Sequence, residues 1–125
     1  MLFDTDMLIW LTRGNVKAAR VVDSASERYI SILTSMELLQ GAQSKAHVSQ
    51  TQSFISEYNF VVLPLSDNIG HRALIYIEEY SLAHGLRAND AIIAATAAEN
   101  NLMLCSSNVR HFKPIKDLKF HSFYV

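Results

Sequence analysis

Short apolar or β-branched runs alternate along the chain with longer segments in which apolar residues recur at helical spacing. Because strands and helices alternate in this way, the pattern predicts an α/β fold in which helices flank a parallel sheet. The five predicted strands are residues 1–3 (MLF), 29–32 (YISI), 60–63 (FVVL), 102–105 (LMLC) and a last one within 120–125 (FHSFYV).

The helical segments differ in how much of their surface is apolar. Residues 66–84 place Ile69, Ala73, Ile77 and Tyr80 on one face, which predicts an amphipathic helix, and residues 48–58 show a weaker pattern of the same kind. Residues 89–101 (NDAIIAATAAENN) are so rich in alanine and isoleucine that we expect a largely buried helix.

Length and composition suit one compact domain over residues 1–125, since 50% of the residues are hydrophobic. The N-terminus does not resemble a signal peptide, and no run approaches the length of a membrane span, so we expect a soluble cytoplasmic protein with no membrane partner. The single cysteine, Cys105, lies in an apolar run and is expected in the core. The net charge of −1 gives no overall attraction to nucleic acid, so any such contact must rely on local patches or on a metal.

Three acids lie at predicted strand ends or helix starts at widely separated points of the chain. Asp4 ends the first strand, while Glu37 and Asp90 lie just inside predicted helix starts after YISILTSM and LRAN. Parallel sheets bind ligands at the carboxyl ends of their strands, so these three carboxylates are expected to converge at one edge.

Each acid also has a purely structural explanation, which is favoured for any one acid taken alone. The stretch from Thr34 to Glu37 matches a capping box, and Asp90 follows Asn89, a good helix N-cap. Asp4 and Asp6 could serve as the cap and first-turn acid of a helix MLIWLT, with Thr5 as an alternative N-cap.

Taken together, the three acids favour a metal-binding site. Carboxylates that share a cleft repel one another and raise one another's pKa values, and a hard cation relieves this repulsion. Mg²⁺ or Mn²⁺ prefers oxygen ligands and is commonly bound by one or two carboxylates plus phosphate oxygens. The five histidines show no zinc-binding spacing, so the sequence points to phosphate chemistry rather than to zinc.

The stretches FDTDMLIWLTRG, TSMELLQGA and GLRANDAIIAATAAENNLMLCSSNVRHF resemble the successive motifs of PIN domains, specifically the small VapC-type ribonuclease toxins of bacterial toxin–antitoxin pairs. The resemblance implies a three-layer α/β/α sandwich around a five-stranded parallel sheet. It also implies Mg²⁺- or Mn²⁺-dependent endonucleolytic cleavage of RNA, a homodimer and inhibition by a VapB-like antitoxin. By the same resemblance Asp4, Glu37 and Asp90 bind the metal, and Asp6 is an adjacent acid that holds waters or the local turn.

The fourth motif, LCSSNVRHF, departs from the family pattern, in which many relatives carry an acid where Asn108 or His111 stands here. Asn108 could offer a carbonyl oxygen and Ser106 a hydroxyl to a metal-bound water, so we expect one firmly held ion and a second that arrives with substrate. Alternatively, Asn108 and Ser106 only order the turn after a strand. His111 could contact a phosphate or protonate a leaving group, or it is a solvent-facing loop histidine.

Basic and aromatic residues near the motifs have two interpretations each. The basic residues flank the acids and either hold RNA phosphates or are ordinary surface charges: Arg13, Arg87, Arg110 and Lys113. Trp10 and Leu11 are expected in the core or at a dimer interface. Trp10 and Leu39 are also candidates for a groove that takes the flexible tail of an antitoxin.

Two other functions compete with the nuclease. One is a PIN-like interaction module whose catalysis is impaired by the non-acidic fourth motif. The other follows from a resemblance of the strand ending in DTD to haloacid-dehalogenase-like phosphatases, in which Asp4 would be the nucleophile and Asp6 the acid/base. The chain does not clearly provide the later lysine and acidic pair which that family needs.

Overall fold

A five-stranded parallel sheet forms the centre of the computed structural model, which describes all residues from 1 to 125. The strands lie in the order β3-β2-β1-β4-β5, and every neighbouring pair is parallel. All five predicted strands are present, with ends that differ by up to three residues: β1 (Leu2–Phe3), β2 (Tyr29–Ser31), β3 (Val61–Leu63), β4 (Leu104–Ser106) and β5 (Phe120–Ser122).

Seven helices connect and cover the strands: α1 (Thr5–Thr12), α2 (Val16–Ser24), α3 (Ile32–Gln40), α4 (Lys45–Glu57), α5 (Asp67–His84), α6 (Ala88–Glu99) and α7 (Val109–Phe112). The predicted helices over 66–84, 48–58 and 89–101 correspond to α5, α4 and α6, and MLIWLT lies in α1. The helices α2 and α7 were not predicted. None of the seven combines the length and the apolar character that crossing a bilayer requires.

The core consists of one cluster on each face of the sheet, because successive residues of a strand point to opposite faces. Leu2 and Leu104 pack with α5 and α6, whereas their neighbours Phe3 and Cys105 pack with α1 and α2. This confirms the α/β/α sandwich. Cys105 is fully buried, as expected, and burial raises the pKa of its thiol to about 12.

The helix α6 is buried as its composition predicts. Its side chains from Ala91 to Ala97 are inaccessible or nearly so, except for Ile92, which is half-buried. The alanines let α5 and the sheet approach α6 closely, and Thr96 satisfies its hydroxyl by donating to the carbonyl of Ile92 at 2.7 Å. This packing fixes the position of the start of α6, where Asp90 lies.

Candidate active site

The carboxyl ends of three neighbouring strands form the edge on which the candidate site is built. Asp4 follows β1 directly, Ser31 ends β2, and Ser106 ends β4. Asp4 is the N-cap of α1, where its Oδ1 accepts from the amide of Thr5 at 2.8 Å. Its Oδ2 accepts from the Ser106 hydroxyl at 2.8 Å, so Asp4 joins the first and fourth motifs.

Asp4 is an acid in an unfavourable environment. Only 6% of its surface is exposed, and the pKa of its carboxyl is raised to about 7, chiefly by burial. Repulsion from Asp6 and a smaller repulsion from Asp90 contribute to this rise, whereas the hydrogen bonds from Ser106 and Thr5 oppose it. The ionised form of Asp4 would therefore be stabilised by a cation at this edge.

Asp6 holds the turn that follows β4. Its Oδ2 accepts from the amide of Ser107 at 3.0 Å and also from the Ser107 hydroxyl. In the same turn, the amide of Asn108 donates to the Ser106 hydroxyl oxygen at 2.9 Å. These bonds link α1 to the fourth motif, and Ser107 is a contact that the sequence reasoning missed.

Glu37 reaches the site from the middle of α3, so the predicted capping box is wrong. Ser31 at the end of β2 caps α3 itself by accepting from the amide of Leu33, which makes Glu37 the sixth helical residue. Thr34 and Glu37 are three residues apart and share a helix face. Both contact Thr5: its hydroxyl donates to Glu37 Oε1 at 2.8 Å, and it lies 3.0 Å from the Thr34 hydroxyl.

Thr5 therefore connects Glu37 to Asp4, its neighbour in the chain. The sequence reasoning considered Thr5 only as an alternative helix cap and missed this link. The signal available was the hydroxyl residue between the two acids of DTD, which must lie at the same strand end as they do.

Asp90 is the third residue of α6, and the predicted cap at Asn89 is wrong because α6 begins two residues earlier than that cap requires. Arg87 precedes the helix, and its amide donates to Asp90 Oδ2 at 3.3 Å. Asn89 lies inside the helix, and its side-chain amide nitrogen Nδ2 donates to Glu37 Oε2 at 3.4 Å. His111 Nδ1 lies 2.9 Å from Asp90 Oδ2 and 2.9 Å from Asn108 Nδ2.

The predicted basic residues divide into two groups. The side chains of Arg87, Arg110 and Lys113 are exposed and form no ion pair. Arg13 instead lies over the ring of Trp10, with its guanidinium carbon 5.8 Å from the ring centroid. Arg87 precedes α6 and Arg110 lies within α7, so both adjoin the elements that carry Asp90 and Asn108.

The donor set fits a hard cation that keeps much of its water. No three His, Cys, Asp or Glu side chains lie close enough together to enclose a metal ion by themselves. Mg²⁺ does not need such a cage, because one or two carboxylates and several waters satisfy it. Asp90 Oδ1 accepts no hydrogen bond from the protein, and Asp4 is buried beside two other acids, so these residues suit such an ion.

A groove adjoins the acidic edge between α1, α3 and α4. Its volume is about 590 Å³, and Glu37 forms part of its wall. Ile9, Leu38 and Phe54 supply its apolar surface. Neither Trp10 nor Leu39 lines this groove, although Leu11 is buried as predicted.

The sheet order, the α/β/α layers and the acids at the carboxyl edge define a class of protein. The family model described as "PIN domain" matches residues 1–117, and the chain belongs to this family. The haloacid-dehalogenase-like alternative is therefore not supported.

Within the family, the chain is similar to VapC-type proteins. It is 32% identical over 123 residues to "Ribonuclease VapC10" of Mycobacterium tuberculosis, covering 95% of this chain and 90% of the relative. A toxin–antitoxin complex from Klebsiella pneumoniae contains a chain that is 30% identical, with a TM-score of 0.80 and coverage of 94% and 93%. VapBC2 from Rickettsia felis, bound to a DNA fragment from its promoter, is 20% identical with a TM-score of 0.79, covers 98% of both chains and shares the fold.

Proposed function

We propose that this protein is a metal-dependent endoribonuclease, the toxin of a toxin–antitoxin pair, which hydrolyses RNA phosphodiester bonds. The observation that carries the proposal is the position of the buried Asp4 carboxylate at the carboxyl edge of a PIN-domain sheet, where it is bonded to Ser106 of the fourth motif and lies near Asp6 and Asp90. The ribonuclease name of the relative from Mycobacterium tuberculosis supports the same activity.

Mg²⁺ or Mn²⁺ would be held by Asp4, Asp90 and Glu37. When bound, such an ion polarises the phosphodiester and lowers the pKa of a water molecule. Thr5 holds the Glu37 carboxylate by a hydrogen bond to Oε1, and Ser106 keeps the Asp4 carboxylate in place. The free guanidinium groups of Arg87 and Arg110 would contact RNA phosphates on either side of the acids.

The non-acidic fourth motif supports one firmly held ion. Ser106 and Asn108 place a hydroxyl and an amide where an acid would add negative charge, and the Ser106 hydroxyl is already committed to Asp4. With less charge, a second ion would be held weakly before substrate brings its own phosphate oxygens.

An antitoxin segment would occupy the groove between α1, α3 and α4. Its apolar side chains would cover Ile9, Leu38 and Phe54, and a basic side chain would reach Glu37 at the groove wall. The comparison with the toxin–antitoxin complex from Klebsiella pneumoniae supports a partner of this kind. We also propose a homodimer, since apolar side chains of α5 face solvent in the single chain.

The experiment that tests this function measures cleavage of total RNA by the purified protein. Cleavage should require Mg²⁺ or Mn²⁺, stop with EDTA and fall to background in Asp90→Asn. The control is Asp23→Asn, because Asp23 is an exposed acid of α2 without a hydrogen-bonded partner. Undiminished cleavage by Asp90→Asn would refute the site. No cleavage by the wild type, with antitoxin binding retained, would favour the interaction module instead.

A further inference from the structure

We infer that His111 is a positioning residue that orients the Asp90 carboxylate, so that only Oδ1 is presented to the metal. This inference rests on the proposed function. It assigns His111 a task other than contact with the phosphate or protonation of the leaving group.

The hydrogen bonds of Asp90 are distributed unevenly between its two oxygens. Oδ2 accepts from His111 Nδ1 at 2.9 Å and from the Arg87 amide at 3.3 Å, whereas Oδ1 accepts none. Asp90 is only 7% exposed, so water cannot freely replace these partners. The carboxylate is thus held by one oxygen and offers the other.

The hydrogen on His111 can be assigned from these contacts. A carboxylate only accepts hydrogen bonds, so Nδ1 must carry the hydrogen that faces Asp90. Asn108 then satisfies its 2.9 Å contact with the same Nδ1 only if its amide is turned to present oxygen to the ring. His111 therefore acts through Nδ1 as a donor, fixed from a second side by Asn108.

The remainder of the ring is also fixed by the chain. The other nitrogen, Nε2, lies 3.8 Å from the position that a Cβ on Gly85 would occupy, so the ring lies beside the loop between α5 and α6. Phe112, the next residue, is fully buried and anchors α7 to the core. Nε2 thus lies on the Gly85 side of the ring, whereas Nδ1 makes the contacts with Asp90 and Asn108, which favours a positioning role for His111.

In this arrangement the fourth motif contributes to the site through His111, although the motif contains no acidic residue. A hydrogen-bond donor at His111 restricts rotation of the Asp90 carboxylate and adds no negative charge to the site. Partners of metal-binding carboxylates typically change metal affinity by roughly 10- to 100-fold when they are removed. Loss of the Nδ1 donor should therefore act first on metal affinity, and any loss of RNA cleavage should follow from the weaker metal binding.

The test compares His111→Leu, which removes the donor, with His111→Asn, whose amide nitrogen takes the place of Nδ1. Calorimetric titration with Mn²⁺ measures the affinity, RNA cleavage is measured at low and saturating Mn²⁺, and circular dichroism checks the fold. We expect His111→Leu to bind Mn²⁺ roughly 10- to 100-fold more weakly and to recover much of its cleavage at saturating Mn²⁺. His111→Asn should retain most of the affinity. His71→Leu, at an exposed site on α5, is the control.

Three results would overturn the inference while leaving the nuclease intact. The first is an unchanged Mn²⁺ affinity in folded His111→Leu, and the second is a loss of Mn²⁺ affinity in His111→Asn equal to that in His111→Leu. The third is a loss of RNA cleavage in both variants while their Mn²⁺ affinity is unchanged. The last result would assign His111 to the reaction itself. A wild type that neither binds Mn²⁺ nor cleaves RNA would instead overturn the proposed function, and the inference with it.

Discussion

At the scale of single residues, the acids of this edge serve the fold and the candidate site at once. Asp4 caps α1 through Oδ1, and Asp90 accepts the Arg87 amide at the start of α6 through Oδ2. A carboxylate has two oxygens with two lone pairs each, so a helix cap does not use up its capacity to bind a metal. The capping and metal-binding interpretations of these two acids are therefore compatible.

Replacing Asp4 by Asn separates these two roles, because Asn is also a good helix cap but lacks the charge. We expect Mn²⁺ to raise the melting temperature of the wild type, and we expect Asp4→Asn to remove that rise and to abolish RNA cleavage. Thermal unfolding with and without Mn²⁺, together with the cleavage assay, measures both effects. Asp23→Asn is the control, and full cleavage by Asp4→Asn would contradict the assignment.

The raised pKa of Asp4 also predicts how stability depends on pH in the metal-free protein. The folded state keeps the Asp4 proton up to about pH 7, whereas the ordinary value is 3.8, so the folded state binds more protons between these limits. The Asp4 contribution to the free energy of unfolding should therefore decrease as pH rises through this window. Urea unfolding in EDTA should show that the free energy of unfolding decreases more between pH 5 and pH 8 for the wild type than for Asp4→Asn. An equal decrease in both proteins would contradict the raised pKa of Asp4.

At the scale of helices and strands, the sequence predicted those elements whose hydrophobic pattern is strong. The five strands are apolar runs, and α5 and α6 have clear buried faces. The start of α3 was misplaced because Ser31 serves both as the last residue of β2 and as the helix cap, which leaves no loop to recognise. The site was only partly predictable, since the bonds of Thr5 to Glu37 and of His111 to Asp90 depend on tertiary contacts across 32 and 21 residues.

The close packing of α6 can be tested by enlarging one of its alanines. Ala94 is fully buried between α5 and the sheet, so Ala94→Leu should lower the free energy of unfolding by roughly 1 to 3 kcal/mol through overpacking. Urea unfolding followed by circular dichroism measures the change. Ala46→Leu, at an exposed position of α4, should have little effect. If Ala94→Leu were as stable as the wild type, α6 would be less tightly packed than described.

At the scale of the whole molecule, two surfaces of the single chain are the proposed interfaces with partners. One is the outer face of α5, where Ile75 and Leu82 are 51% and 102% exposed. They lie seven residues apart, two turns along one helix face, which suits contact with a second copy of the chain. The other is the groove beside Glu37, whose lining includes the apolar side chains of Ile9, Leu38 and Phe54.

For the α5 face, we expect the wild type to be a dimer and the double variant Ile75→Glu, Leu82→Glu to be a monomer, because charge on this face opposes its burial. Light scattering coupled to gel filtration measures the mass. Val16→Glu introduces one glutamate at an exposed apolar position of α2 and should leave the dimer intact. A monomeric wild type would rule out the homodimer, and a dimeric double variant would place the interface elsewhere.

For the groove, Ile9→Lys should retain RNA cleavage but escape inhibition by the proposed VapB-like antitoxin. Ile9 is 36% exposed on α1, so lysine can extend into solvent in the free protein without disturbing the core. In the complex, an apolar partner segment would have to bury that ammonium group beside Arg13, and both the desolvation and the like charge oppose binding. Cleavage measured over a titration of antitoxin, with Val16→Lys as the matched control, tests this. If antitoxin inhibited Ile9→Lys as effectively as the wild type, the partner would have to reach the acids by a route outside this groove.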